Sequence, residues 1–206
     1  MQSISSLENL RKGEDIYVVG GGKSMDYYPS GFFGSRCVLA VNQASRLVNP
    51  TFVIRKEGAD IGKAPVISSM HRAGCLDLGM NRSDYMFDHN HNMLSVIERA
   101  DLHPYGDKIV VSWSTITSAI HLAAYMVARA VFLAGHDCAT IDGEQTANDY
   151  YLGVNRITQP QDYSNWLKCI ASQTIWMREY LYSEYKIPLI SLSPFVGLKH
   201  EGHIIE

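Results

Sequence analysis

Short apolar runs recur along this chain at Ile16–Val19, Cys37–Val41, Phe52–Ile54, Pro65–Ile67, Ile109–Trp113, Val131–Ala134 and Pro188–Leu192. Most are rich in Val and Ile and lack polar alternation, as strands buried on both faces do. Helical patterns lie between them. Ser114 is a natural N-cap for a helix over Thr115–Arg129, apolar almost all the way round and therefore central. Asp162 to Tyr185 reads as a long amphipathic helix, with Trp166, Ile170, Ile175, Trp176 and Leu181 available to pack. Strands alternating with helices predict an α/β fold: a Rossmann-like, mostly parallel sheet with helices on both faces. No repeat, low-complexity tract or linker divides the 206 residues, so the expectation is a single domain over 1–206. Residues 70–106 are the least legible and are a candidate lid or insertion.

Apolar residues make up 46% and charged residues 19% of the chain, the balance of a soluble globular protein. A net charge of −3 gives no electrostatic case for nucleic acid or an anionic membrane. No stretch reaches about 18 uninterrupted apolar residues, so no membrane span is expected. Cys37, Cys75, Cys138 and Cys169 are widely spaced without a zinc pattern, and read as buried free thiols in a reducing compartment. The N-terminal segment MQSISSLENLRKGED has no apolar core of a signal peptide, so a cytoplasmic location is expected. Self-association is left open, the tail after Lys199 being able to pack on a neighbour or fray.

The segment IYVVGGGKSM, Ile16 to Met25, breaks the first strand into glycines followed by Lys23 and Ser24. Glycines there permit a sharp turn and close approach of a ligand to the backbone. A helix beginning after them would seat a phosphate on its free N–H groups. Met25 occupies the place of the third glycine in the dinucleotide fingerprint, and Gly22-Lys23-Ser24 lacks the spacer of a P-loop. The alternatives are a nucleotide or phosphate site on Gly20, Gly21, Gly22, Lys23 and Ser24, or a tight turn without a ligand.

In open α/β sheets ligands bind beyond the carboxyl ends of the strands. That rule gathers GGGKS, Asn42-Gln43, Arg55-Lys56-Glu57, Ser112–Ser118, GHDCATIDGE and SLSPFVGLK at one rim. WSTITS supplies hydroxyls and helix N–H groups from Ser114, Thr115, Thr117 and Ser118, suited to an anion, or else Ser114 merely caps the helix. GHDCATIDGE concentrates His136, Asp137, Asp142 and Glu144, a set able to hold Mg²⁺ or supply a general base; a solvated loop turning at Asp142-Gly143 is the alternative. DHNHN, Asp88–Asn92, is read as a polar loop rather than a metal site, because no third ligand spacing accompanies His89 and His91. His121 is read as a core histidine.

Taken in order, VVGGGKSM, LAVNQA, STITSAIHLAAYMVARAVFLAGHDCA and ISLSPFVGLK resemble the hydroxymethylpterin diphosphokinase-like (MptE-like) family. The same order is similar to the family 42 bacterial sialyltransferases of surface glycan synthesis. The resemblance covers roughly residues 15–145 and 187–200. It implies that Gly20–Ser24 lie near nucleotide phosphates and that Asn42 touches the nucleotide or the transferred group. Thr115, Thr117 and Ser118 would form a second wall, and Asp137 the mouth. Tyr150 and Tyr151 fall loosely where the sialyltransferases carry a tyrosine pair assisting the leaving phosphate. Two features depart from that pattern: no His lies between Asp137 and Lys199, and position 21 is Gly where the sialyltransferases have Asn.

The leading expectation is a nucleotide-sugar-dependent glycosyltransferase of surface glycan modification, with Asp137, His136 or Glu144 as base and Tyr150 or Tyr151 assisting departure. A second is Mg²⁺-dependent pyrophosphate transfer from ATP to a hydroxymethylpterin, with Asp137 and Asp142 as metal ligands, Glu144 beside them, and Lys23 and Arg55 as basic groups. A third is a nucleotide-binding protein that has lost catalysis.

Overall fold

The computed structural model describes residues 2–55, 63–69, 83–92, 108–111, 114–150 and 163–193. Its strands are β1 (Gln2–Ser3), β2 (Asp15–Val19), β3 (Cys37–Val41), β4 (Phe52–Arg55), β5 (Val66–Ser69), β6 (Tyr85–Asn92), β7 (Lys108–Val111), β8 (Ala130–Ala134) and β9 (Leu189–Ser191). They form an open parallel sheet in the order β1-β6-β5-β4-β3-β2-β8-β9, with β7 pairing in parallel to the later part of β6. The α/β Rossmann-like expectation is met.

Side-chain alternation divides the sheet into two buried faces. Ile16, Val18, Cys37, Leu39, Val41, Phe52, Ile54, Val131 and Leu133 point into one core, with α1 (Thr115–Tyr125) packed on them. Every residue of α1 is buried, because the sheet lies on one side and α2 (Tyr163–Tyr180) packs against it as well. The helix stops at Tyr125, short of the expected Arg129, because Val127 turns left-handed at φ 60°. The other face buries Val19, Val38, Ala40 and Ala134 against Met25, Phe33, Ala147 and Tyr150. That cover comes from a 3₁₀ turn at Lys23–Tyr27, the aromatic segment after it, and the loop following β8.

DHNHN does not form a loop: it is the second half of β6, held by backbone pairing to β7. Of the region 70–106, only 83–92 lies within the described residues, so the lid expectation falls largely outside them. The long second helix is present as α2 followed by a π-helical turn, Leu181–Tyr185, that ends at left-handed Lys186. Among the described cysteines Cys37 is buried, whereas Cys138 and Cys169 are only half-buried; all three are free, and Cys75 lies outside the described residues. No helix among the described residues is long and apolar enough to cross a membrane.

Candidate functional site

The strand order changes direction at one place. From β2 the chain steps outward through β3, β4, β5 and β6, while β8 and β9 lie on the other side. The carboxyl ends of β2 and β8 are therefore neighbours at the switch point, where open α/β sheets form their clefts. The turn after β2 and the Gly-His-Asp segment after β8 meet there in direct backbone contact. Gly20 N–H donates to the Ala134 carbonyl at 2.8 Å, and Gly22 N–H to the Gly135 carbonyl at 2.7 Å.

This contact accounts for the glycines. A Cβ on Gly20 would lie 2.5 Å from the Gly135 carbonyl oxygen, and one on Gly22 2.6 Å from Asp137 Oδ2. A Cβ on Gly21 would lie 2.0 Å from Cε2 of Tyr150. Gly135 itself is left-handed at φ 62°, where Met25 leaves no room for a side chain. The glycines serve close approach, as the sequence suggests, but the approaching groups here are Gly135, Asp137 and Tyr150.

Asp137 is 2% exposed and lies at the start of the Lys23–Tyr27 turn. Its carboxylate accepts the Ser24 N–H at 2.8 Å and the Ser24 hydroxyl at 2.5 Å. The N–H that would face a phosphate is thus engaged by an internal anion. Burial raises the Asp137 pKa above the usual carboxylate value, and the two Ser24 bonds oppose that rise. Behind Ser24 lies Ser193, with its hydroxyl oxygen 2.8 Å away. Ser193 Oγ in turn accepts the Gly135 N–H at 3.1 Å and lies 3.0 Å from the Tyr28 hydroxyl.

Among the described residues, two side-chain oxygens on the same rim are buried without a hydrogen-bond partner. One is Oδ1 of Asn42, which follows β3 in a left-handed conformation at φ 52°. The other is Oγ1 of Thr117, fully buried in the first turn of α1. That turn lies beside the glycines, since a Cβ on Gly20 would be 3.2 Å from Cδ1 of Ile116. Ser114 caps the helix by accepting the Ile116 N–H at 3.3 Å, and Thr115 and Ser118 are buried next to Thr117. Arg55, 4% exposed, adds a buried cation at the end of β4.

The remaining candidates are dispersed. His136 is 7% exposed and bonded through Nε2 to Thr174 Oγ1 at 2.9 Å. Thr174 gives its own proton to the Ile170 carbonyl, which assigns the His136 proton to Nε2. Burial lowers its pKa to about 4, so the ring is neutral and ties the rim to α2. Lys23 pairs with Asp26 at 2.9 Å and reaches Asn148 Oδ1 at 3.4 Å. Asp142 accepts the Tyr27 hydroxyl at a tight two-residue turn with Gly143, and Glu144 is exposed on that turn. Tyr150 lays its ring on Gly21, and Tyr151 lies outside the described residues. Asp137 and Asp142 are thus committed to Ser24 and Tyr27, and no group of three metal-ligating side chains exists among the described residues. The described donors do not fit a Mg²⁺ site.

Ser193 and Tyr28 are the members of this cluster that sequence reasoning did not single out. Ser193 lies in SLSPFVGLK, which the rim rule already gathered; Tyr28 carries no spacing signal.

No family model matches the chain. No curated protein matches it either. Among solved structures, the crystal structure of a mammalian sialyltransferase is similar at a TM-score of 0.41 and 14% identity, covering 86% of this chain and 69% of that one. At that score and identity the likeness carries no functional weight.

Proposed function

We propose that the rim at the β2–β8 junction binds a nucleotide-linked sugar and that the protein transfers the sugar to a hydroxyl acceptor. The observation that carries this reading is the pair of buried, unpartnered oxygens on Asn42 and Thr117. Leaving a buried polar atom unpaired costs about 1–3 kcal/mol, so such atoms are the exception in folded proteins and call for a partner. Asn42 Oδ1 suits an amine or hydroxyl donor of a base or ribose; the Thr117 hydroxyl suits either polarity. Arg55 supplies buried positive charge for a phosphate. Asp137, with its raised pKa, is the group to receive the acceptor's proton. Gly20–Ser24 then act mainly by bringing Asp137 to the rim. Cytoplasmic location and surface glycan modification belong to this reading.

Pyrophosphate transfer to a pterin has less support, because Asp137, Asp142 and Glu144 do not gather into a metal site. Titration calorimetry with CMP, UDP and ATP, with and without Mg²⁺, tests the proposal. The expected result is metal-independent binding of a pyrimidine nucleotide, weakened by Asn42→Ala and Thr117→Val. Binding that requires Mg²⁺ and ATP would favour pyrophosphate transfer. Binding without turnover on any acceptor would leave a nucleotide-binding protein.

A further inference from the structure

Asp137 is 2% exposed, and its carboxylate is already engaged by the Ser24 N–H and hydroxyl. The hydroxyls around it supply a route. Each carries one proton, so the directions of their bonds can be assigned. Ser24 gives its proton to Asp137, the anion of the cluster, and therefore accepts from Ser193 at 2.8 Å. One lone pair of Ser193 Oγ is filled by the Gly135 N–H, and the other receives the Tyr28 hydroxyl at 3.0 Å. Every bond in the series then points toward Asp137. Ser24 and Ser193 are fully buried, so Tyr28, half-buried, is the member of the series with a path to the surface. Among the described residues, Cys138 and Tyr28 are the titratable groups that face Asp137, and burial pushes both to about 12, so both keep their protons.

We infer that Tyr28 is the outer end of a one-way proton relay, Tyr28–Ser193–Ser24–Asp137, and receives the acceptor's hydroxyl proton. The assignment of the proton's source rests on the glycosyl-transfer reading; the relay itself rests on the geometry. In the transfer step the acceptor O–H proton passes to Tyr28 Oη as the phenolic proton moves to Ser193. The Ser193 proton moves to Ser24, and the Ser24 proton to Asp137. The acceptor oxygen bonds to the anomeric carbon while the bond from that carbon to the phosphate oxygen breaks, its electron pair leaving on the nucleotide. All three hydroxyls end neutral, and Asp137 ends protonated.

The test is the rate at which Asp137 gains a proton, followed in the full chain by its carboxyl infrared band after a rapid drop in pH. Asp137→Asn assigns the band. Tyr28→Phe keeps the ring on Phe32 and Phe33, with centroids at 5.1 and 5.2 Å, and removes only the oxygen. The relay predicts loss of the fast protonation phase with the equilibrium level retained, and the same loss in Ser193→Ala. An unchanged rate in Tyr28→Phe overturns it, whether or not Ser193→Ala folds. Loss of the fast phase in a protein that binds no nucleotide would uphold the relay and remove the transfer reading. Nucleotide binding with an unchanged rate would do the reverse. Given a nucleotide sugar that turns over, Tyr28→Phe should lower kcat by about a hundredfold at unchanged KM.

Discussion

Thr117→Val keeps the shape of a fully buried side chain and removes an oxygen without a partner. Removing an unsatisfied buried hydroxyl should raise stability by about 1 kcal/mol, read as a higher midpoint in urea at unchanged slope. The same variant should bind nucleotide about tenfold more weakly, a loss of one hydrogen bond. A drop in stability instead would mean that the hydroxyl is bonded within the fold. Gly21 makes a different prediction. An alanine there places its Cβ 2.0 Å from the Tyr150 ring, so Gly21→Ala should cost about 1–3 kcal/mol. Adding Tyr150→Ala should recover part of that loss, and the double-mutant cycle measures how much.

At the scale of elements, the loop after β8 straps the glycine turn. Ala147 N–H donates to the Gly21 carbonyl at 2.9 Å, Asn148 N–H to the Asp26 carboxylate at 3.0 Å, and Tyr27 donates to Asp142. The strap is folded back by Asp142 and Gly143, left-handed at φ 52° and 79°. Gly143→Ala meets no atom within 4 Å, yet should cost about 1 kcal/mol from the left-handed backbone alone. Thermal unfolding checks it; no loss would mean that the turn changes conformation freely. The sequence made β2, β3, β4, β8 and β9 legible because each is an apolar run buried from both faces. It concealed β6, whose polar half Asp88–Asn92 is a strand through its pairing with β7 rather than through side-chain pattern. β1, two residues long, leaves no periodicity to read. The site was legible as a rim, because strand ends and glycines mark it. The partners of the glycines were not, since Tyr150, Gly135 and Ser193 reach Gly20–Ser24 from more than a hundred residues away.

For the whole molecule, two buried groups set opposing pH dependences. His136 has a folded pKa of about 4 against 6.5 in the open chain. The unfolded state therefore binds more protons in that window, and stability falls as pH drops from 6.5 toward 4, by up to roughly 3 kcal/mol. Asp137 is raised above 3.8, so the folded state binds the extra proton and stability declines as pH rises through that interval. Urea titrations of the parent and His136→Gln at fixed pH values separate them. The acid loss should be shallower in the variant; identical profiles would show that His136 is charged, or equally solvated, in both states.

The central claim is that a nucleotide sits on Asn42 and Thr117. Calorimetric titration of CMP and UDP into the parent protein, Asn42→Ala and Thr117→Val, without metal, tests it most directly. The account predicts saturable binding by the parent and weaker binding by both variants, with the fold of each intact. Binding of equal strength in all three, or none in the parent, would contradict it.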